Sequence, residues 1–204
     1  MIAIVDYGSG NVSAIANIYK QLKVPHVVTG DPAVLAAADG YVLPGVGAFD
    51  RVMADLIRLG IVDTLNTEIL RNGKKAIGIC VGMQILANAS DEGQMSGLGW
   101  IPGHIRRIDE NRIVTAPKLP HMGWNSIAPR GNPALLRGVD TERGFYFLHS
   151  YFFDAADDSN VLATVEYGTA LACAVGRGNI FGVQFHPEKS HDNGVAILRN
   201  FAEL

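Results

Sequence analysis

Along the first ninety residues, hydrophobic positions alternate between two patterns. Unbroken apolar runs predict buried strands, and apolar residues three or four apart predict amphipathic helices. Residues 1–5 form the first run. After the turn Gly8-Ser9-Gly10, the residues Val12, Ile15, Ile18, Tyr19 and Leu22 recur at helical spacing and predict a helix over residues 11–22. A second strand is expected at His26–Thr29, and Asp31-Pro32 supplies an N-cap and a first-turn proline for a short helix ending before Gly40. Residues 41–43 return as a strand. Residues 48–58 and 61–71 read as helices closed by Gly60 and Gly73, residues 75–79 as a buried strand, and a further helix must begin near Gly82.

Past Ser90 the helical period disappears. Gly, Pro and β-favouring residues dominate residues 97–129, which predicts antiparallel hairpins, and strand-like runs follow at 144–153, 161–165, 170–175 and 180–185. An amphipathic helix over 192–204 closes the chain. Strands alternating with crossover helices define an α/β fold. The expected architecture is one domain over residues 1–204, with a central, mostly parallel sheet, an antiparallel extension, and helices on both faces.

Composition narrows the function classes. Of 204 residues, 48% are apolar and only 18% charged, enough to build a core and too apolar for disorder. Seventeen Lys and Arg against twenty Asp and Glu leave a net charge of −3, so no basic field is available and nucleic acid is not an expected partner. Residues 1–5 lack the length and basic lead of a secretion signal, and the longest apolar stretch, 76–89, is broken by Gln84 and falls short of the ~20 residues that span a bilayer. No membrane association is expected. The two cysteines, Cys80 and Cys173, belong to no C-x-x-C pair, which argues against zinc and disulfides and for a reducing, cytoplasmic setting. Cys173 sits in an apolar run and reads as a core residue. Gly8-Ser9-Gly10 has Ser13 where a dinucleotide loop needs its third glycine. With no metal-ligand cluster either, no cofactor and no metal are expected.

The chemistry concentrates in Gly78-Ile79-Cys80-Val81-Gly82-Met83-Gln84, where a buried strand hands over to a helix. Glycines two positions either side of a residue in a strained strand-to-helix turn mark a nucleophile elbow, because side chains there would collide. The following helix also favours a thiolate at Cys80. A base is available in Phe185-His186-Pro187-Glu188, at the end of another apolar strand. In extended chain, positions two apart share a face, so Glu188 can orient the His186 ring while its other nitrogen addresses Cys80, with Pro187 holding the backbone extended. Pro44-Gly45-Val46-Gly47 follows the third strand at the same expected sheet edge, which makes the backbone at Val46, with the N–H of Val81, a candidate oxyanion hole. His26, His104 and His191 have no such company. An elbow cysteine also suits a hydrolase, a small-molecule isomerase or a non-catalytic binding module of the same architecture.

Taken together, the elbow and His186-Pro187-Glu188 resemble the class I glutamine amidotransferases over almost the whole chain. The resemblance implies a glutaminase that releases ammonia from L-glutamine through a cysteinyl acyl-enzyme. Cys80 would be the nucleophile, His186 the base and acid, and Glu188 its orienter. Gly47, Gln84, and backbone groups near Ser150 and Tyr151 would hold the substrate. Pro120-His121-Met122-Gly123-Trp124-Asn125 and His186-Pro187-Glu188-Lys189-Ser190 resemble, within that class, the glutaminases that serve a (βα)8-barrel cyclase in histidine synthesis. That narrower likeness implies a heterodimer in which Asn11, Met122, Trp124, Tyr146 and Lys189 lie at or near the partner face. Only sixteen residues follow Glu188, so ammonia delivery in trans is expected. Because an uncoupled glutaminase would waste glutamine, the Gly45–Val46 peptide is expected to be misoriented in the isolated subunit until the loaded partner engages. Class I glutaminases serving purine, pyridoxal phosphate or anthranilate synthesis share the triad and remain alternatives.

Overall fold

The computed structural model describes residues 1–114 and 116–204. The alternation in the first half produces β1 (Ile2–Val5), α1 (Val12–Gln21), β2 (His26–Thr29), α2 (Pro32–Ala36), β3 (Gly40–Gly45), α3 (Phe49–Arg58), α4 (Val62–Asn66) and β4 (Lys75–Cys80). Asn11 and Asp31 open their helices by accepting the Ala14 and Ala33 N–H groups at 3.4 and 2.9 Å. The helix expected over 61–71 is split, because α4 gives way after Asn66 to a wider turn at Thr67–Arg71.

β1 pairs in parallel with both β2 and β3, and β3 with β4. The order of strands reverses at β1, so right-handed crossovers put α1 on one face and α2 to α4 on the other. β1 and β3 are buried along their whole length, as strands covered on both faces must be. β3 runs two residues past the expected end, through Pro44 and Gly45. Pairing with β1 stops at Val42 while pairing with β4 continues to Gly45, so the missing Pro44 N–H costs no ladder bond on the β1 side. The Pro44 carbonyl on that side instead accepts the buried Tyr7 hydroxyl.

The chain continues through α5 (Val81–Gln84), β5 (Ala89–Ser90), β6 (Gly103–Arg107), β7 (His121–Asn125), β8 (Ala128–Pro129), β9 (Phe145–His149), β10 (Tyr151–Ala155), β11 (Val161–Glu166), β12 (Ala170–Arg177), β13 (Ile180–Val183) and α6 (His191–Glu203). The main sheet has the order β2-β1-β3-β4-β13-β12-β11-β8. Its first five strands are parallel, and the last three extend it antiparallel. This is the expected α/β architecture. Among the described residues, the hairpins expected over 97–129 do not form: β6 pairs antiparallel with distant β10 and parallel with β5, and β7 pairs with β9. The run at 144–153 is two strands in two different sheets, divided at Ser150. Cys173 is fully buried within β12, and burial pushes its thiol well above the ordinary range. No helix among the described residues is long and apolar enough to cross a membrane.

Candidate active site

Three parallel strands end side by side at one edge of the sheet: β3, β4 and β13. At or just beyond their carboxyl ends lie Val46, Cys80 and His186, all lining one pocket of about 240 Å³. That is where ligands collect on open parallel sheets. Cys80 occupies the elbow with φ 55° and ψ −114°, a backbone conformation that L side chains rarely adopt. The two flanking glycines make the turn possible in different ways. A Cβ on Gly78 would overlap the backbone of Gly82, whereas one on Gly82 would strike the Leu43 carbonyl of β3.

The Cys80 sulfur lies 3.9 Å from the Leu148 carbonyl and 3.8 Å from Gln184 Nε2. His186 lines the pocket together with Cys80, and its Nδ1 lies 2.9 Å from Glu188 Oε1 on the side of the ring held by Glu188. Burial works against an imidazolium here. Interactions with the neighbouring Cys80 and Glu188 outweigh it and lift His186 to about 9. Glu188 reaches the ring by a different route from the one expected. Pro187–Lys189 is a tight helical turn, not extended chain, and it carries the carboxylate back under His186. Ser190 fixes that turn to β9: its hydroxyl donates to the His186 carbonyl at 2.7 Å and accepts the Tyr146 N–H at 3.0 Å.

Gly47, Val81, Gln84, Ser150 and Tyr151 line the same pocket. Gln84 is buried and its amide donates to the Tyr151 carbonyl and to Gln184 Oε1, at 3.3 and 3.1 Å. The Val46 N–H is not free: it donates to Ser9 Oγ at 3.0 Å, and that hydroxyl lies 2.9 Å from the Val46 carbonyl. Sequence reasoning missed Gln184, Glu92 and Leu148. Gln184 was findable, since it is a polar residue on an apolar run two positions before His186. Glu92 carried no local signal. It lines the pocket and caps α3 by accepting the Phe49 N–H at 2.8 Å.

On β7, Met122 and Trp124 are 61% and 43% exposed, although large apolar side chains on a strand ordinarily face a core. Trp124 stands opposite Tyr146 in the β7–β9 pair, and Lys189 Nζ lies 5.4 Å from the centre of the Tyr146 ring. The structure thus brings Trp124, Tyr146 and Lys189 together. Asn11 is exposed at the start of α1, which packs against the Pro187–Lys189 turn. His104 pairs with Asp91 at 2.7 Å and His191 stacks on Trp124, both outside the pocket. Among the described residues, no three His, Cys, Asp or Glu side chains are grouped to hold a metal ion.

Residues 3–204 match the family Glutamine amidotransferase class-I. The chain belongs to that family and is an enzyme of the glutamine amidotransferase class. It is 48% identical over 204 residues, all of both chains, to imidazole glycerol phosphate synthase subunit HisH of Bdellovibrio bacteriovorus. The subunit of the same name from Leptospira borgpetersenii is 45% identical over 204 residues, again all of both chains. A solved glutamine amidotransferase structure superposes with a TM-score of 0.74 over 100% of each chain at 16% identity, a likeness of fold.

Proposed function

We propose that this chain is the glutaminase subunit of an imidazole glycerol phosphate synthase. It releases ammonia from L-glutamine and delivers it to a (βα)8-barrel cyclase subunit in histidine synthesis. The observation that carries the chemistry is the meeting of Cys80 and His186 across adjacent parallel strands, with Glu188 behind the imidazole. The full-length identity to HisH subunits supports the choice of partner.

In this reading His186 takes the Cys80 proton and the thiolate attacks the side-chain amide carbon of glutamine. His186 then returns the proton to the departing nitrogen, so ammonia leaves and a thioester remains on Cys80. Water, deprotonated by His186, adds to the thioester, and glutamate leaves as Cys80 is reprotonated. The developing oxyanion needs N–H donors, which Val81 and Val46 supply. Glu92 is the carboxylate placed to meet the substrate ammonium, while Gly47, Gln84 and the Ser150-Tyr151 backbone hold the rest. Asn11, Met122, Trp124, Tyr146 and Lys189 face the partner. The test is to mix the chain with purified barrel cyclase and, separately, with synthase subunits that other class I glutaminases serve. Glutamine consumption and co-purification are expected with the cyclase alone, and a response to another synthase instead would reject this assignment.

The Val46 amide must turn before it can donate to an oxyanion, because Ser9 now occupies it. Ser9 therefore restrains the partner-free enzyme. Ser9→Ala removes about 1 kcal/mol of hydrogen bonding, which predicts a roughly fivefold faster partner-free glutaminase with little change in the complex. Steady-state ammonia release by the isolated chain measures it. An unchanged or slower rate would discard the restraint.

A further inference from the structure

At the pocket, and running back from it, lies a pair of histidines that the chemistry above does not use: His149 lines the cavity and His121 stands behind it. His121 on β7 and His149 on β9 stand opposite each other in register, 3% and 6% exposed. His121 Nδ1 is 3.0 Å from His149 Nε2. Burial lowers His121 to about 4 and His149 to about 3, so both rings are neutral near pH 7 and each carries one N–H. The groups at the two ends then fix where those protons sit. The Tyr151 carbonyl can only accept, so its 2.8 Å contact makes His149 Nδ1 a donor and leaves His149 Nε2 as an acceptor. His121 Nδ1 must therefore donate to it. His121 Nε2 becomes an acceptor in turn, 3.3 Å from Asn125 Nδ2, the same amide nitrogen that donates to the Glu166 carbonyl at 3.0 Å. The result is a one-directional chain from Asn125 through His121 and His149 to the Tyr151 carbonyl, in which every ring nitrogen has a partner.

That chain ends on the substrate pocket. The stretch 149–151 is where the backbone leaves the β7–β9 pair for the β6–β10 sheet, and Ser150 and Tyr151 line the cavity there. The Tyr151 carbonyl receives its second hydrogen bond from Gln84, also in the pocket. We infer that His121 is a positioning residue for glutamine: acting through His149, it holds the Tyr151 carbonyl, and with it the Ser150-Tyr151 wall, in the place that receives the substrate. The inference rests on the glutaminase reading.

Two substitutions separate positioning from packing. His121→Phe keeps an aromatic ring where His121 stacks on Tyr167 and Phe147, at centroid distances of 4.0 and 4.7 Å, but removes both nitrogens and orphans His149 Nε2. His121→Asn gives up the stack and restores an N–H near the Nδ1 position. In the complex with the cyclase, His121→Phe is expected to raise the glutamine KM about tenfold with kcat within about twofold, because an unpaired buried acceptor loosens binding rather than chemistry. His121→Asn is expected to recover most of that loss, and alkylation of Cys80 by iodoacetamide to proceed at the wild-type rate in both. Asn125→Ala, which removes the start of the chain, is expected to raise KM about threefold and serves if the His121 variants misfold. A His121→Phe KM within twofold of wild type overturns the inference, as does an asparagine variant of native Tm that binds no better than the phenylalanine one. Loss of kcat and of Cys80 alkylation together with KM also overturns it, by showing general collapse. A wild-type protein that neither hydrolyses glutamine nor is protected by it from alkylation removes the glutaminase reading itself.

Discussion

Cys80→Ala in the assembled enzyme is expected to lower glutamine-dependent product formation by about 10⁴-fold or more, while synthesis from added ammonium salts stays within twofold of wild type. The two halves of this result have different physical causes. Alanine keeps the Cβ, and the φ of 55° is as unfavourable for alanine as for cysteine, so the elbow neither gains nor loses backbone strain. What disappears is the sulfur, whose neighbours are His186, Gln184 and the Leu148 carbonyl. No other thiol can replace it, because Cys173 is fully buried in β12. The side chains proposed to face the partner, among them Met122, Trp124 and Lys189, belong to β7 and to the turn after His186 and are untouched. Docking and ammonia use by the cyclase should therefore survive. Parallel assays with glutamine and with ammonium chloride measure both halves. Retained glutamine-dependent turnover would remove Cys80 from the chemistry, and loss of both activities would mean that the substitution had acted on folding or docking instead.

Much of the site could be read from the sequence because its positions are dictated by backbone rules. The elbow needs glycine at 78 and 82, and the structure shows an overlap at each that any side chain would create. The parallel half was equally legible, since strands buried on both faces must be continuously apolar and their helices must carry a stripe. Beyond Ser90 the pattern reports which face a residue occupies but not which strand it meets. β6 finds its partners in β5 and β10, and β7 finds β9, none of them adjacent hairpin arms. The break at Ser150 was hidden for the same reason: 144–153 reads as one β-favouring run interrupted only by His149-Ser150, and only tertiary structure assigns its halves to different sheets. The Glu188 contact was anticipated with the wrong local geometry, because Pro187 is as compatible with the first position of a helical turn as with extended chain. Ser9 and Glu92 were invisible as site residues. Each joins the pocket through a contact made across more than thirty positions of sequence.

That contact between Glu188 and His186 leads to the second large effect. Glu188→Gln is expected to lower kcat with glutamine by about 10³- to 10⁴-fold, with KM changed little. A carboxylate can only accept, so the 2.9 Å contact keeps a proton on His186 Nδ1 and leaves Nε2 to exchange one with Cys80. A glutamine amide can donate to Nδ1 and stabilise the opposite tautomer, which presents an N–H to the thiol and cannot take its proton. It also removes the negative charge that favours the imidazolium. The same substitution has a signature in stability that a simple loss of packing would not produce. Burial disfavours the charged ring, but interactions with the neighbouring Cys80 and Glu188 raise His186 from 6.5 to about 9. A group whose folded value lies above its unfolded value stabilises the protein fully below the unfolded value and loses that contribution as pH climbs through the folded one. The Tm gap between wild type and Glu188→Gln should therefore be widest near pH 6 and narrow toward pH 9.5. Thermal melts across that range measure it. A gap that is constant, or that widens as the solution becomes more alkaline, would mean that Glu188 does not hold the proton on His186.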